Sequence, residues 1–230
     1  MTVLHPASAL VVAAHPDDIE LTAGGTIALW VRGGARVDYV LCTSGEAGVP
    51  DAPVAEAIER REAEQRAAAA LLGAREVVFL REPDGMLANT LELRRRLVRE
   101  IRRLRPEVLV TGDPALWIAP PGYVNHPDHR AASAAAIEAA FPLAGLPRIF
   151  AEQLEEGLTP HRVSALWMAC LDGSSHAVRI DVRATWDDKV RALACHASQS
   201  AVWSEAEVRG LAQLAAGGDG LAEAFRIVRT

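Results

Sequence analysis

Apolar runs rich in Val, Ile and Leu alternate with segments of helical periodicity along most of the chain. Because the apolar runs are continuous rather than alternating, they indicate strands buried on both faces, as in a parallel sheet covered by helices. This order predicts an α/β, Rossmann-like three-layer fold with a mostly parallel sheet. The predicted strands are residues 9–14, 37–42, 76–80 and 107–111, and the predicted helices are residues 22–32, 55–72, 90–104 and 127–140.

The C-terminal part, from about residue 145, has a less regular pattern. Residues 163–171 and 177–182 are predicted to be extra C-terminal strands, and residues 185–196 a helix. Residues 215–220 form a small, Gly-rich segment that we interpret as a hinge before the last part of the chain. Neither an internal repeat nor a linker divides the sequence, so residues 1–230 are predicted to form a single domain.

Composition argues against nucleic-acid-binding, membrane and disulfide-rich proteins. Half of the residues are hydrophobic, and the net charge of −6 argues against a nucleic-acid partner. The longest apolar stretches fall far short of the ~20 residues that a membrane helix needs, and no signal-peptide pattern is visible, so no membrane insertion is expected. Cys42, Cys170 and Cys195 form no CxxC pair and no disulfide framework, which favours a cytoplasmic setting.

The segment LELRRRLVREIRRLR, residues 91–105, contains seven arginines. Its apolar residues recur at helical spacing, which places the arginines mainly on the outer face of a helix. We interpret this segment as a solvated helix surface rather than as a basic binding patch.

Polar residues with metal-binding chemistry follow the first predicted strand directly. The stretch AHPDDIE contains His15, Asp17 and Asp18. In parallel sheets, ligands bind outside the carboxyl ends of the strands. The loops that follow the later strands, residues 43–53, 81–89 and 112–129, are therefore expected to meet His15 at one edge of the sheet.

His15 and Asp18 lie three residues apart on a predicted strand-to-helix turn, where a nitrogen and a carboxylate oxygen could bind one Zn²⁺. A third ligand is expected from NHPDHR, residues 125–130, which holds two histidines three apart. One of them can bind metal while the other faces the substrate. Each motif alone also fits a helix cap, but their presence at matching strand ends favours a metal site.

These motifs resemble those of PIG-L-type (LmbE-like) zinc-dependent de-N-acetylases, and the likeness covers nearly the whole chain. The opening signature HPDD-x-E stands at residues 15–20 and is followed by AGGT at 23–26. The second signature, HPDH, stands at 126–129. Further matches are TSGEAG at 43–48, RREAE at 60–64, PDG at 83–85 and DKVRALACHASQ at 188–199. The two signatures are specific for the family but not for a substrate.

The resemblance implies a metal centre with a base beside it. His15, Asp18 and His129 would bind one zinc ion per chain, for which Fe²⁺ or Co²⁺ could substitute. Asp17 would be the general base. His126 would stabilise the oxyanion, as an imidazolium, or donate a proton.

Other matches concern support and substrate. Asp84 matches a position that contacts substrate hydroxyls in sugar-processing relatives. Arg61, from a less certain alignment of the pair 60–61, would also contact substrate. Independently of the resemblance, Asp128 stands between the two histidines of its motif and is expected to orient the ring of His126. The chemistry of amide hydrolysis supports this scheme, because zinc activates water and polarises a carbonyl while a nearby carboxylate accepts a proton.

The resemblance implies a hydrolase that removes an acetyl or other acyl group from an N-acetylated amino sugar or its conjugate. An amidase acting on a thiol conjugate or a natural product is the alternative. A non-catalytic nucleotide-binding module is more distant, because no G-x-G-x-x-G follows the first strand. The expected partner is a small N-acetylated molecule chosen by the rim loops 47–55, 84–90 and 113–124. Whether the chain forms a homo-oligomer stays open.

Overall fold

The structure is a computed structural model that describes residues 4–119, 122–170, 176–200 and 202–230. The strands are β1 (Ser8–Ala13), β2 (Arg36–Thr43), β3 (Glu76–Glu82), β4 (Val108–Thr111), β5 (Ile118–Ala119), β6 (Tyr123–Val124), β7 (Ala165–Ala169), β8 (Val178–Asp181) and β9 (Ala222–Arg229). The α-helices are α1 (Asp18–Arg32), α2 (Val54–Leu72), α3 (Leu91–Leu104), α4 (Pro127–Ala140), α5 (Glu152–Glu155), α6 (Trp186–Ala194) and α7 (Glu205–Ala216).

The main sheet has the strand order β3-β2-β1-β4-β7-β9-β8. Its first five strands are parallel, whereas β9 runs antiparallel to both β7 and β8. Strands β5 and β6 form a separate two-stranded antiparallel hairpin. The predicted α/β fold with a mostly parallel sheet and extra C-terminal strands is confirmed.

Helices cover both faces of this sheet, which gives the three predicted layers. Leu10 and Val12 of β1 pack in one core against α3 and α4, whereas Ala9 and Val11 pack in a second core against α1, α2 and α6. Both faces of β1 are therefore apolar, which explains why its sequence is a continuous apolar run. Among the described residues, no helix combines the length and the apolarity that crossing a membrane requires.

The last part of the chain differs most from the sequence expectations. Residues 222–229 form β9, an internal strand between β7 and β8, and the residues before it form α7. The expected hinge begins within the end of α7, and Gly217 closes that helix with a φ of 76°. A signal for α7 was present, because Ser204 and Glu207 form a capping box.

Helix α1 also begins at Asp18, four residues earlier than predicted. Of the predicted strand 163–171, residue 171 lies outside the described residues.

Helix α3 confirms the interpretation of the arginine-rich segment with one exception. Arg102 is buried, and its guanidinium donates to four backbone carbonyls between residues 144 and 150 and to Gln153 Oε1. The other described arginines of α3 form exposed or half-exposed ion pairs or hydrogen bonds. Arg102 therefore holds the irregular segment after α4 against the core instead of binding a partner.

A buried ion pair joins the C-terminal part to α1. Lys189 Nζ lies 2.6 Å from Glu223 Oε1, and both side chains are 3% exposed. Glu223 accepts from the backbone N–H groups of Gly25 and Thr26, and Lys189 donates to the carbonyl of Leu21. Gly25 permits this close packing, because a Cβ atom there would lie 2.6 Å from Val182 Cβ.

We expect Lys189→Met to lower the free energy of unfolding by about 3–5 kcal/mol, because it leaves the Glu223 carboxylate buried without its counter-charge. Urea unfolding measures this change. The matched control is Arg60→Met, which breaks the exposed Arg60–Glu56 pair and should cost no more than ~1 kcal/mol. Equal losses in the two variants would contradict a structural role for the buried pair.

Candidate active site

Loops after four neighbouring strands meet at the carboxyl edge of the sheet, as predicted. The backbone N–H of Asp84, after β3, donates to Glu46 Oε1, after β2, over 3.0 Å. Asp84 Oδ2 accepts from the N–H of Ala47 over 2.9 Å. The N–H of Gly85 donates to Asp128 Oδ2 over 2.8 Å, which ties the loop after β3 to the start of α4. These bonds fix the walls around His15.

His15, Asp18 and His129 bring three potential ligand atoms to one point. His15 Nδ1 lies 3.4 Å from Asp18 Oδ2, and His129 Nε2 lies 3.1 Å from Asp18 Oδ1. The ligand atoms of this group lie within 4.8 Å of one another. Around a tetrahedral ion with ligands at ~2.0–2.2 Å, neighbouring ligand atoms lie about 3.3–3.5 Å apart. The spacing therefore fits one small divalent cation.

Hydrogen bonds on the far side of each imidazole direct its lone pair toward that point. His15 Nε2 lies 3.0 Å from Asp84 Oδ1, so its proton belongs on Nε2 and its lone pair on Nδ1. His129 Nδ1 lies 2.9 Å from Asn125 Oδ1, which leaves the lone pair on Nε2. Metal-binding histidines commonly show this arrangement, because the outer partner fixes the ring and its tautomer.

A second group of possible ligands, His15, His126 and Asp128, overlaps the first. Ligand atoms of Asp128 and His126 already accept hydrogen bonds from the backbone. The Asp128 carboxylate accepts from the N–H groups of Gly85 and Leu87, and His126 Nδ1 accepts from the N–H of Asp128 over 3.2 Å. The first group therefore suits a cation better.

Asn125 was missed as a functional residue, although it stands in the motif. We expect Asn125→Ala to weaken metal affinity about 10–100-fold, because the His129 ring loses the partner that orients it. A competition titration against a chelator measures the affinity. The matched control is Asn89→Ala, which removes a bond to Glu138 on α4 and should leave metal affinity unchanged. Equal affinities in Asn125→Ala and the unaltered protein would contradict this role.

Asp17 has a strained backbone and a carboxylate that caps nothing. Its φ of 95° is in the left-handed region, and although it occupies the N-cap position of α1 its side chain makes no capping hydrogen bond. The alternative that Asp17 serves as a helix cap is therefore wrong. Such a conformation costs of order 1–3 kcal/mol and persists only where neighbours hold it.

Helix α2 provides those neighbours. The N–H of Asp17 donates to Gln65 Oε1 over 3.1 Å, and Arg61 Nη2 donates to the carbonyl of Pro16 over 2.7 Å. Gln65 in turn donates to Glu20 Oε1, whose other oxygen lies 3.2 Å from His196 Nε2. This buried chain of polar groups links Asp17 to the C-terminal part of the fold. The signature HPDD-x-E includes Glu20, but nothing in the sequence pointed to Gln65.

The two residues expected to contact substrate are both engaged within the site. Arg61 is 3% exposed, its Nη2 lies 3.6 Å from Asp17 Oδ2, and its Nε and Nη1 have no hydrogen-bond partner among the described residues. Asp84 Oδ1 contacts His15, as described above. Asp128, expected to orient His126, lies 3.9 Å from His126 Nδ1 and 3.5 Å from His15 Nε2. The structure thus brings all the predicted site residues together.

The electrostatics of the site favour a cation. Burial would lower the pKa of His15, but hydrogen bonds to Asp128, Asp18 and Asp84 raise it to about 12. Burial would raise the pKa of Asp18, yet His129 and His15 hold it well below its ordinary value. A divalent cation would provide the positive charge that these carboxylates attract, with release of the His15 proton.

The pKa values of Asp17 and His126, the two residues beside the candidate ligands, shift in opposite directions. Burial raises the pKa of Asp17 to about 7, and the negative charge of Asp18 adds to the effect, while Arg61 opposes it. Burial and the neighbouring His15 lower the pKa of His126. Because His126 Nδ1 also accepts a backbone N–H, the neutral imidazole with its proton on Nε2 is the form that fits this structure.

Known deacetylases are similar to this chain, and three of them illustrate the likeness. A diacetylchitobiose deacetylase from Thermococcus kodakarensis is 35% identical over 192 residues, which cover 83% of this chain and 69% of the relative. A 1D-myo-inositol 2-acetamido-2-deoxy-alpha-D-glucopyranoside deacetylase from Rhodococcus erythropolis is 32% identical, covering 84% and 81%. The solved N,N'-diacetylchitobiose deacetylase from Pyrococcus horikoshii, in complex with its inhibitor MPG, has a TM-score of 0.87 at 28% identity, covering 99% of this chain and 85% of that chain.

A family match covers the part of the chain that builds the site. Residues 10–140 match the family described as PIG-L: GlcNAc-PI de-N-acetylase. This range contains both signatures and every residue predicted to bind metal, act as base or contact substrate. The chain belongs to the PIG-L family of metal-dependent de-N-acetylases.

Proposed function

We propose that this protein is a zinc-dependent hydrolase that removes the acetyl group from the 2-acetamido group of an N-acetylated amino sugar or its conjugate. The observation that carries the proposal is the convergence of two oriented imidazoles and Asp18 beside the uncapped carboxylate of Asp17. The substrates for which the two relatives are named, diacetylchitobiose and an inositol 2-acetamido-2-deoxy-glucopyranoside, share an N-acetylated glucosamine unit and support the substrate class.

His15, Asp18 and His129 would hold the metal, one ion per chain. When bound, the ion would supply a Lewis acid that activates water and polarises the amide carbonyl. Zinc suits this mixed nitrogen and oxygen ligand set, which Fe²⁺ or Co²⁺ could also occupy. The chain itself must then move a proton from the attacking water to the leaving amine.

Asp17 would accept the proton of the water. Its raised pKa brings it close to the working range of a general base, and Arg61, within 3.6 Å, keeps it from rising further. The strained backbone holds the carboxylate away from the helix terminus, where it would otherwise cap α1. Asp17 would later return the proton to the leaving nitrogen.

His126 would stabilise the developing oxyanion as a neutral donor through Nε2–H. This differs from the imidazolium expected from the sequence, because Nδ1 accepts the N–H of Asp128 and cannot carry a proton in that geometry. Arg61 is buried beside Asp17, and the Asp84 carboxylate contacts His15 and accepts the N–H of Ala47. This geometry favours a role for both in positioning Asp17 and His15 over the substrate contacts expected from the sequence.

The test is release of free amine and acetate from N,N'-diacetylchitobiose, an N-acetylglucosaminyl inositol and an N-acetylated cysteine conjugate, with zinc-loaded protein. We expect turnover of at least one amino sugar, which chelation abolishes. Turnover of the cysteine conjugate alone would favour the amidase alternative. No amine from any of the three would contradict the proposed function.

A further inference from the structure

A cavity of about 570 Å³ extends from the metal ligands toward the C-terminal part of the fold. Asp18 and His129 lie in its wall, at the point between β1 and β4 where the strand order of the sheet reverses. Its far wall comes from α7 and the residues just before that helix, including Trp203, Leu211 and Leu214. Pockets for whole ligands measure ~300–1,000 Å³, so this space exceeds what the methyl group of an acetyl needs.

The wall offers little for a sugar hydroxyl to bind. Ala13, Ile19 and Val110 extend the apolar surface from β1, α1 and β4. Most polar side chains of the wall already have local hydrogen-bond partners, whereas Thr111 Oγ1 is buried without one among the described residues. Thr22 donates to Asp18 O, Ser133 donates to His129 O, Asn125 binds Leu116 O and His129, and Glu207 caps α7 with Ser204.

The polar groups of the site lie on the other side of β1. Glu46, Arg61 and Asp84 come from the segments that follow β2 and β3, whereas the cavity lies toward β4 and α7. An amide positioned at the metal ligands would therefore have polar residues on one side and apolar residues on the other. The amino sugar fits the polar side, and an aliphatic chain on the carbonyl carbon fits the apolar side.

We propose that the cavity binds the acyl chain of the substrate, and that the enzyme hydrolyses medium-chain N-acyl amino sugars better than N-acetyl ones. This inference rests on the proposed function and names its substrate class. The amide C–N bond breaks, the carbonyl carbon gains the oxygen of water, and the products are an aliphatic carboxylate and the protonated amine. The chain lies among the apolar residues of β1, β4 and α7.

Gly210 provides a way to fill the cavity. It lies in the wall, inside α7, and a Cβ atom added there meets no heavy atom within 4 Å. The first atom of a new side chain therefore meets no neighbour. Gly210→Leu also raises helix propensity, so we expect the variant to fold and to extend its branched end into the cavity. Gly218 also has open space around it, but it is not part of the wall, which makes Gly218→Leu the matched control.

The experiment compares kcat/KM for glucosamine carrying N-acetyl, N-butanoyl, N-hexanoyl and N-octanoyl groups. We expect an increase of about fourfold per methylene until the chain fills the cavity. Gly210→Leu should abolish this dependence on chain length, and Gly218→Leu should keep it. The octyl glycoside of N-acetylglucosamine is the second arm. A gain with this glycoside but none with longer acyl groups would overturn the acyl assignment in favour of the aglycone.

Binding of octanoate to the protein, measured by calorimetry, provides a readout without turnover. Binding that Gly210→Leu weakens at least tenfold and Gly218→Leu does not would support the proposal. Hydrolysis of the N-acetyl substrate with no gain from longer chains and no octanoate binding would overturn it while leaving the proposed function intact. Octanoate binding without release of amine from any substrate would support the cavity assignment and contradict the proposed function.

Discussion

Asp17→Asn is expected to lower kcat about 10²–10⁴-fold while the protein folds and binds metal as before. Asn keeps the shape of the side chain and the backbone bond to Gln65, but it cannot accept a proton. Asp18→Asn is the matched comparison on the neighbouring carboxylate. It should lower the metal content instead, because the candidate metal group loses a negative charge.

The pH dependence of kcat/KM provides a second readout on Asp17. The base must be deprotonated to act, so activity should fall as the pH decreases through the pKa of Asp17, which burial raises to about 7. A divalent cation nearby would lower that pKa, so the midpoint should lie at or below this value. Near-unchanged turnover in Asp17→Asn would mean that the base lies elsewhere, with Glu46 the next candidate.

His129→Ala is expected to lose metal and turnover together, whereas His126→Ala should keep the metal and lose turnover. His129 Nε2 lies with His15 and Asp18 at the candidate metal point, while His126 Nδ1 accepts a backbone N–H at the start of α4. Metal analysis after gel filtration, beside kcat for the same preparations, measures both effects.

Each of these two variants is the control for the other. Both histidines belong to one four-residue motif, so their replacement should affect folding to a similar extent. Loss of metal in His126→Ala, with metal retained in His129→Ala, would assign the centre to the second group formed by His15, His126 and Asp128. The roles of the two histidines would then have to be exchanged.

The parallel half of the sheet and the ligand motifs could be predicted because their signals are local. A strand buried on both faces must be a continuous apolar run, as β1 is, and the turn after it carries His15 and Asp18 within a few residues. The rule that ligands bind at the carboxyl ends of parallel strands then brings residues 125–129 to the same place.

The place of β9 in the sheet and the side-chain contacts of the site could not be predicted, because they depend on contacts between residues distant in sequence. Nothing near 222–229 indicates that this segment enters the sheet between β7 and β8, since an internal antiparallel strand is defined by its neighbours. Gln65 holds the backbone of Asp17 across 48 positions of sequence. The side-chain bonds of Asn125, Arg61 and Asp84 likewise depend on how loops pack, which local periodicity does not encode.

A titration of the fully chelated protein with zinc tests metal-dependent hydrolysis most directly, with amine release from an N-acetylated amino sugar and bound metal measured together. We expect no turnover without metal, and a linear return of activity that ends at about one equivalent per chain, the capacity of a single three-ligand site. Full turnover after complete removal of metal would contradict metal-dependent hydrolysis.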